Sequence, residues 1–148
     1  MTEQHGDNKM KLTLRQLVNA SPALGRLAEQ KFTCKGSGKI IYALSKNLAL
    51  TEKELLAYQK AMNSLIEKYR IQEVQTEEEI KEHKEPKYYF PPSVQKELEI
   101  ETGELLDDEM ELDIRPVILP EPTDDTPSLI NAVDLYLLNW MVSFEGYD

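Results

Sequence analysis

GKIIYALSKNLALTEKELLAYQKAMNSLIEKYR, residues 38–70, carries the most regular apolar pattern in the chain. Ile41, Leu48, Leu55, Met62 and Tyr69 return every seven residues, and Leu44, Tyr58 and Leu65 fill three of the four intervening positions, with Thr51 in the other. An a/d repeat over about four heptads is the seam of a helix packed on a second helix. Thr51-Glu52-Lys53-Glu54 also has the form of a capping box, which would start a new helix at Thr51. The unbroken register favours one helix from about Gly38 to Arg70. Its seam fits either a homo-oligomer or an antiparallel hairpin with residues 14–30. The hairpin needs no second chain and is the expectation.

Upstream, Thr13-Leu14-Arg15-Gln16 is a capping box. Leu14, Leu17, Val18, Leu24, Leu27 and Ala28 follow at helical spacing, so the first arm of the hairpin begins at residue 13. Ser21-Pro22 inside this pattern predicts a kink or a restart, because proline removes a donor and crowds the previous turn. Between the two arms lies CKGSGKII, residues 34–41, a glycine turn with a lysine behind it. As a phosphate loop it fails. Thr33 stands where the first glycine belongs, and Ile40 follows Lys39 where a Ser or Thr should hold magnesium. Gly36-Ser37-Gly38 is read as an inter-helix turn. Lys31, Lys35, Lys39 and Lys46 cluster around it, but no recognition module accompanies them and direct nucleic-acid binding is not favoured.

Downstream, the composition changes. QEVQTEEEIKEHKEP, ending at Pro86, is charged and nearly without apolar residues, so 71–86 is read as a connector or a solvated helix extension. KYYF, residues 87–90, is a short strand stopped by Pro91-Pro92, and Ser93 caps a helix through Val94, Leu98 and Leu105. In DEMELDIRPVIL, Met110, Leu112 and Ile114 alternate with Glu109, Glu111, Asp113 and Arg115, the period of a half-buried strand. Pro116 makes it an edge or a bulge. After the loop PEPTDDTP, Thr126-Pro127 starts a last helix through Ile130, Val133, Leu137, Trp140, Met141 and Phe144. This helix is apolar on most sides and either enters the core or offers a patch to a partner.

The 148 residues fit a flexible start over 1–10 and one domain over 11–148. The apolar run around Tyr136–Val142 falls far short of the ~20 residues of a membrane span. The N-terminus has no apolar signal region, so a cytoplasmic protein is expected. The single Cys34 excludes an intramolecular disulfide. The net charge of −10 is divided unevenly: residues 1–70 hold 12 Lys+Arg against 6 Asp+Glu, and residues 71–148 hold 5 against 21. Either the halves neutralise each other or an acidic surface awaits a basic partner.

No chemistry is spelled out. Asp107, Asp108, Glu109, Glu111 and Asp113 lack the glycine and ligand spacing of a calcium loop and read as an acidic strand face. His5 and His83 have no partner at ligand spacing. Cys34, Ser21, Ser37 and Ser143 lie beside no visible base. No catalytic, metal or cofactor residue is expected, and no enzyme.

MKLTLRQLVNASPALGRLAEQKF, YALSKNLALTEKELLAYQKAMNSLIEKY, ELLDDEMELDIRPVIL and the closing apolar helix together resemble a group of small uncharacterised proteins from phages and prophages of Gram-positive bacteria. The resemblance covers most of residues 10–143. It implies a phage-like origin, hence the cytoplasm of a host cell, and no activity or site residue.

The expected fold is therefore α+β and mostly helical. A hairpin over 13–70 packs on a small antiparallel sheet of KYYF and MELDIRPVIL, and the last helix closes the core within 87–144. The expected function is a non-enzymatic, phage-type interaction protein that binds another protein, in assembly or in modulating a host protein. Contact is expected at Asp107, Asp108, Glu109, Glu111 and Asp113 or at Leu137, Trp140, Met141 and Phe144. The rival is an acidic inhibitor that imitates a phosphate backbone on a host nuclease or defence protein; an enzyme of unknown type comes third.

Overall fold

The computed structural model describes residues 9–123 and 128–145. The helix start expected at Thr126-Pro127 and most of the start expected over 1–10 lie outside the described residues. The fold is α+β and mostly helical. In order the elements are β1 (Lys9–Thr13), α1 (Leu14–Ala28), α2 (Ser37–Tyr69), β2 (Ile71–Gln72), α3 (Glu77–Lys81), β3 (Tyr88–Tyr89), α4 (Pro92–Leu106), β4 (Glu109–Asp113), β5 (Val117–Leu119), α5 (Ala132–Leu137) and β6 (Val142–Phe144). The chain divides into two compact units, Met1–Leu56 with Asp107–Asp148, and Ala57–Leu106.

The first unit holds the core. Thr13 ends β1 and caps α1: its Oγ1 accepts from the Gln16 N–H at 3.1 Å while Gln16 Oε1 accepts from the Thr13 N–H at 2.8 Å. The helix then runs unbroken through Pro22. Its stripe Leu17, Ala20, Ala23, Leu24 and Leu27 packs into one cluster with Ile40, Ala43 and Leu44 from α2, so the hairpin forms as expected. The cluster continues into Leu112, Ile114, Val117, Leu119, Leu138, Met141 and Val142.

The strands differ from expectation. MELD does not pair with KYYF; β4 pairs antiparallel with β1, in the register Lys9↔Asp113, Met10↔Leu112, Lys11↔Glu111, Leu12↔Met110 and Thr13↔Glu109. Met10 and Leu12 alternate with polar residues, so residues 9–10 belong to a strand and not to a flexible start. Pro116 lies where two ladders part. Beyond it, β5 pairs with β6 in parallel, Val117↔Val142 to Leu119↔Phe144. The last helix is also shorter than expected. Asn131 caps it by accepting from the Asp134 N–H at 2.8 Å, and it ends at Leu137, so Met141 lies in a turn and Phe144 in β6.

Within α2 the expected seam positions are buried or half-buried, except the first. Ile40 is 7% exposed and Ile41, the expected seam residue, 48%. One stripe of buried and half-buried positions runs Ile40, Leu44, Asn47, Thr51, Leu55, Tyr58, Met62, Leu65 and Tyr69, eight steps over 29 residues. That is 3.6 residues per step, the period of a straight helix. A strict seven-residue repeat drifts by ~20° per heptad on such a helix, and the departure falls at the first turn, where Ile40 takes the place expected for Ile41. The one-helix reading holds, and the second capping box is not used. Thr51 is buried within the helix, and its Oγ1 donates to the Asn47 carbonyl at 2.8 Å.

Asn47 is fully buried, and both ends of its carboxamide meet the backbone of one residue. Nδ2 donates to the Arg115 carbonyl and Oδ1 accepts from the Arg115 N–H, both at 2.8 Å. The turn between β4 and β5 thereby receives the two bonds that a neighbouring strand would have supplied.

The second unit is built on the C-terminal part of α2 and on α4. Met62 meets Thr102, and Lys68 Nζ stands 3.3 Å from Glu101 Oε2. The stretch read as a connector is ordered into β2 and α3, and KYYF finds its partner there: Ile71 pairs with Tyr89 and Gln72 with Tyr88. Thr76 and Glu79 form a second capping box. α3 stops at a left-handed His83 (φ 55°), where the His83 N–H bonds the Ile80 carbonyl and the Lys84 N–H bonds that of Glu79. This is a Schellman closure with histidine where glycine is usual.

Candidate interaction surfaces

The acidic strand face comes first. Glu109, Glu111 and Asp113 are exposed, as the alternation predicted, and Asp107 and Asp108 precede them at the surface. The register sets Lys11 opposite Glu111 and Lys9 opposite Asp113. Directly opposed residues of an antiparallel pair project from the same face, where unlike charges attract. Arg15 takes Asp107, with Nη2 at 3.2 Å and Nε at 3.3 Å from Oδ1. The basic N-terminal strand thus offsets the acidic one within this unit.

The apolar residues of the chain end are split between two roles. Met141 is buried in the core, while Leu137, Trp140 and Phe144 pack against it half-covered. Trp140 Nε1 donates to the Leu137 carbonyl at 2.9 Å, so the polar end of the indole is satisfied locally. This segment is held on α1 by an ion pair that the sequence reading missed. Arg26 Nε and Nη2 donate to the two carboxylate oxygens of Asp134 at 2.9 and 2.6 Å. Arg26 first, and then Asn131, hold the Asp134 carboxyl below its ordinary value, against the opposing effect of burial. The residues lie 108 apart, and nothing local in the sequence joins them.

A third surface lies in the second unit. None of residues 57–106 is buried, and large apolar side chains stand open there: Val74 (97% exposed), Ile80, Ile71, Tyr88, Tyr89 and Ile100. The Arg70 guanidinium lies 3.9 Å from the centre of the Tyr88 ring, a stacking distance for a cation on an aromatic face. Glu101 is held below the usual carboxylate range by the Tyr69 hydroxyl first and by Lys68. The same stretch is acidic: residues 71–87 hold Glu73, Glu77, Glu78, Glu79, Glu82 and Glu85 against Lys81, Lys84 and Lys87. The sequence reading passed over this region because its apolar residues are scattered among charges without a period.

No helix among the described residues is long and apolar enough to cross a membrane. Among the described residues no group of three His, Cys, Asp or Glu side chains converges as a metal site would require. The comparisons add no relative: no family model, no curated protein and no solved structure matches the chain.

Proposed function

We propose that the chain is a non-enzymatic, phage-type interaction protein that binds another protein, and that the contact is made by the open apolar side chains of the second unit. The supporting observation is their concentration at Ile71, Val74, Ile80, Tyr88 and Tyr89, in a unit with no buried residue of its own. Exposed apolar groups rimmed by polar ones are the usual composition of a protein contact, with tyrosine among the residues that anchor it. The partner surface is apolar with a basic rim, which meets the glutamates of 73–85. The phosphate-mimic reading rests on the acidic second half of the sequence, but Lys9, Lys11 and Arg15 stand against the carboxylates it needs.

The test is a purified partner, taken by crosslinking from a lysate of the host, titrated with the chain at rising salt. Screening weakens contacts between exposed charges and leaves apolar burial intact. Affinity should fall only slightly up to about 0.5 M salt, and a double Val74→Ser, Tyr89→Ser variant should lose it while remaining folded. A steep salt dependence with full affinity in that variant would move the contact to the acidic strand.

A further inference from the structure

Between α1 and the end of α5 the first unit carries a cleft of about 300 Å3, lined by Gln16, Asn19, Tyr136, Leu137, Asn139 and Trp140. The Arg26–Asp134 pair holds its two walls together. No lining residue is charged. Gln16 spends Oε1 on the cap of α1 and keeps its Nε2 donors free. The Asn19 and Asn139 carboxamides and the Tyr136 hydroxyl bond to nothing among the described residues. Tyr136, 75% exposed, lines the cleft together with Trp140, whose indole N–H is already taken.

These groups select a ligand. An anion would find no cation to offset its desolvation. A purely apolar molecule would cover three carboxamides and leave them unpaired. A peptide anchored by a side chain would need an aliphatic pit, and Leu137 is the only aliphatic residue in the lining. Carboxamides donate and accept at once, which matches a hydroxyl that also does both, and the aromatic rings offer a flat apolar platform. We propose that this cleft binds a short uncharged saccharide, with a C–H face of a sugar ring on Tyr136 and its hydroxyls on Gln16, Asn19 and Asn139. The volume lies at the small end of ligand sites, which run from about 300 to 1,000 Å3. This site is separate from the protein contact proposed above and does not depend on it.

Chitotriose, cellotriose and maltotriose, each added to the full chain, are the probes, read by amide shifts in 1H–15N spectra. At least one should give saturable shifts confined to residues 16–19 and 136–140, with a Kd between about 0.1 and 10 mM. Tyr136→Ala and Asn139→Ala, both at exposed positions, should each weaken it about tenfold, close to 1.4 kcal/mol, with an unchanged melting temperature. The proposal is overturned if none of the three sugars moves these amides, or if binding survives both substitutions. It is equally overturned if glucose 6-phosphate or a capped neutral tetrapeptide binds there as tightly as the best sugar.

Discussion

Asn47 shows what a single buried amide can hold. Its removal in Asn47→Ala takes away the partner of both the N–H and the C=O of Arg115, and each polar group left unpaired away from water costs roughly 1–3 kcal/mol. The expected loss is about 2–4 kcal/mol in denaturant melts; a loss under about 1 kcal/mol would mean that the turn finds other partners. Ile40 and Ile41 offer the sharper comparison. They are adjacent and identical, yet only the first is covered. Ile40→Ala should cost about 2–5 kcal/mol and Ile41→Ala less than about 1 kcal/mol. The reverse order would restore the heptad seam. In the sequence these two residues are indistinguishable, because a local repeat gives the period of a stripe but not which side of the helix the rest of the fold will cover. Asn47 was illegible for a related reason: a polar residue in a helix reads as solvent-facing until its tertiary partner is known.

Among the elements, those defined by their own residues were legible. The capping box at Thr13, the apolar stripe of α1, the alternation of β4 and the glycine turn before α2 all express interactions over a few residues. Pairings between distant strands were not. β1 was the nearest miss, since Lys9-Met10-Lys11-Leu12-Thr13 alternates as openly as β4 does; its brevity and its place before a strong helix start hid it. α5 was read too long because both a buried helix and a turn followed by a strand are apolar on most sides. Its attachment to α1 through Arg26 and Asp134 makes a pH prediction. The Asp134 carboxyl lies below its ordinary 3.8 in the folded chain. The stability it contributes is therefore complete above that ordinary value and is lost as pH falls through the lower folded-state one. Asp134→Asn should lower the melting temperature at neutral pH, and the gap from the parent should narrow as the pH falls below the ordinary carboxyl value and close once the folded-state carboxyl is protonated. A gap that persists into acid would assign the effect to the helix cap instead of the ion pair. At the end of α3, His83→Gly should relieve the left-handed residue and stabilise its own unit by about 0.5–1 kcal/mol.

For the whole molecule, the two units should differ in how readily they open. Protection from hydrogen exchange follows buried apolar contacts, and these are concentrated in the first unit. Amides of 57–69 and 92–106 should exchange through openings several kcal/mol cheaper than those of Leu17, Leu24, Leu44 or Leu119. Equal protection throughout would mean that the chain opens as one cooperative body. The candidate surfaces follow the same division. The acidic face was legible as a strand pattern, but its counter-charges arrive from the other end of the sequence. The saccharide cleft was not legible at all, because Gln16 and Asn19 lie on an ordinary polar helix side until residues 136–140 are brought beside them.

The pairing of β1 with β4 also governs how the protein is made. Lys9 and Asp113 are 104 residues apart, and translation at about 5–20 residues per second puts roughly 5–20 s between them. During that interval the whole of Ala57–Leu106 leaves the ribosome, while the first strand and the inward side of α1 wait without the strands that will cover them. The core is thus completed only once β4, β5 and β6 have emerged. A nascent chain halted before Glu109 should present Met10, Leu12 and Leu17 to chaperones, and one halted after β6 has emerged should not.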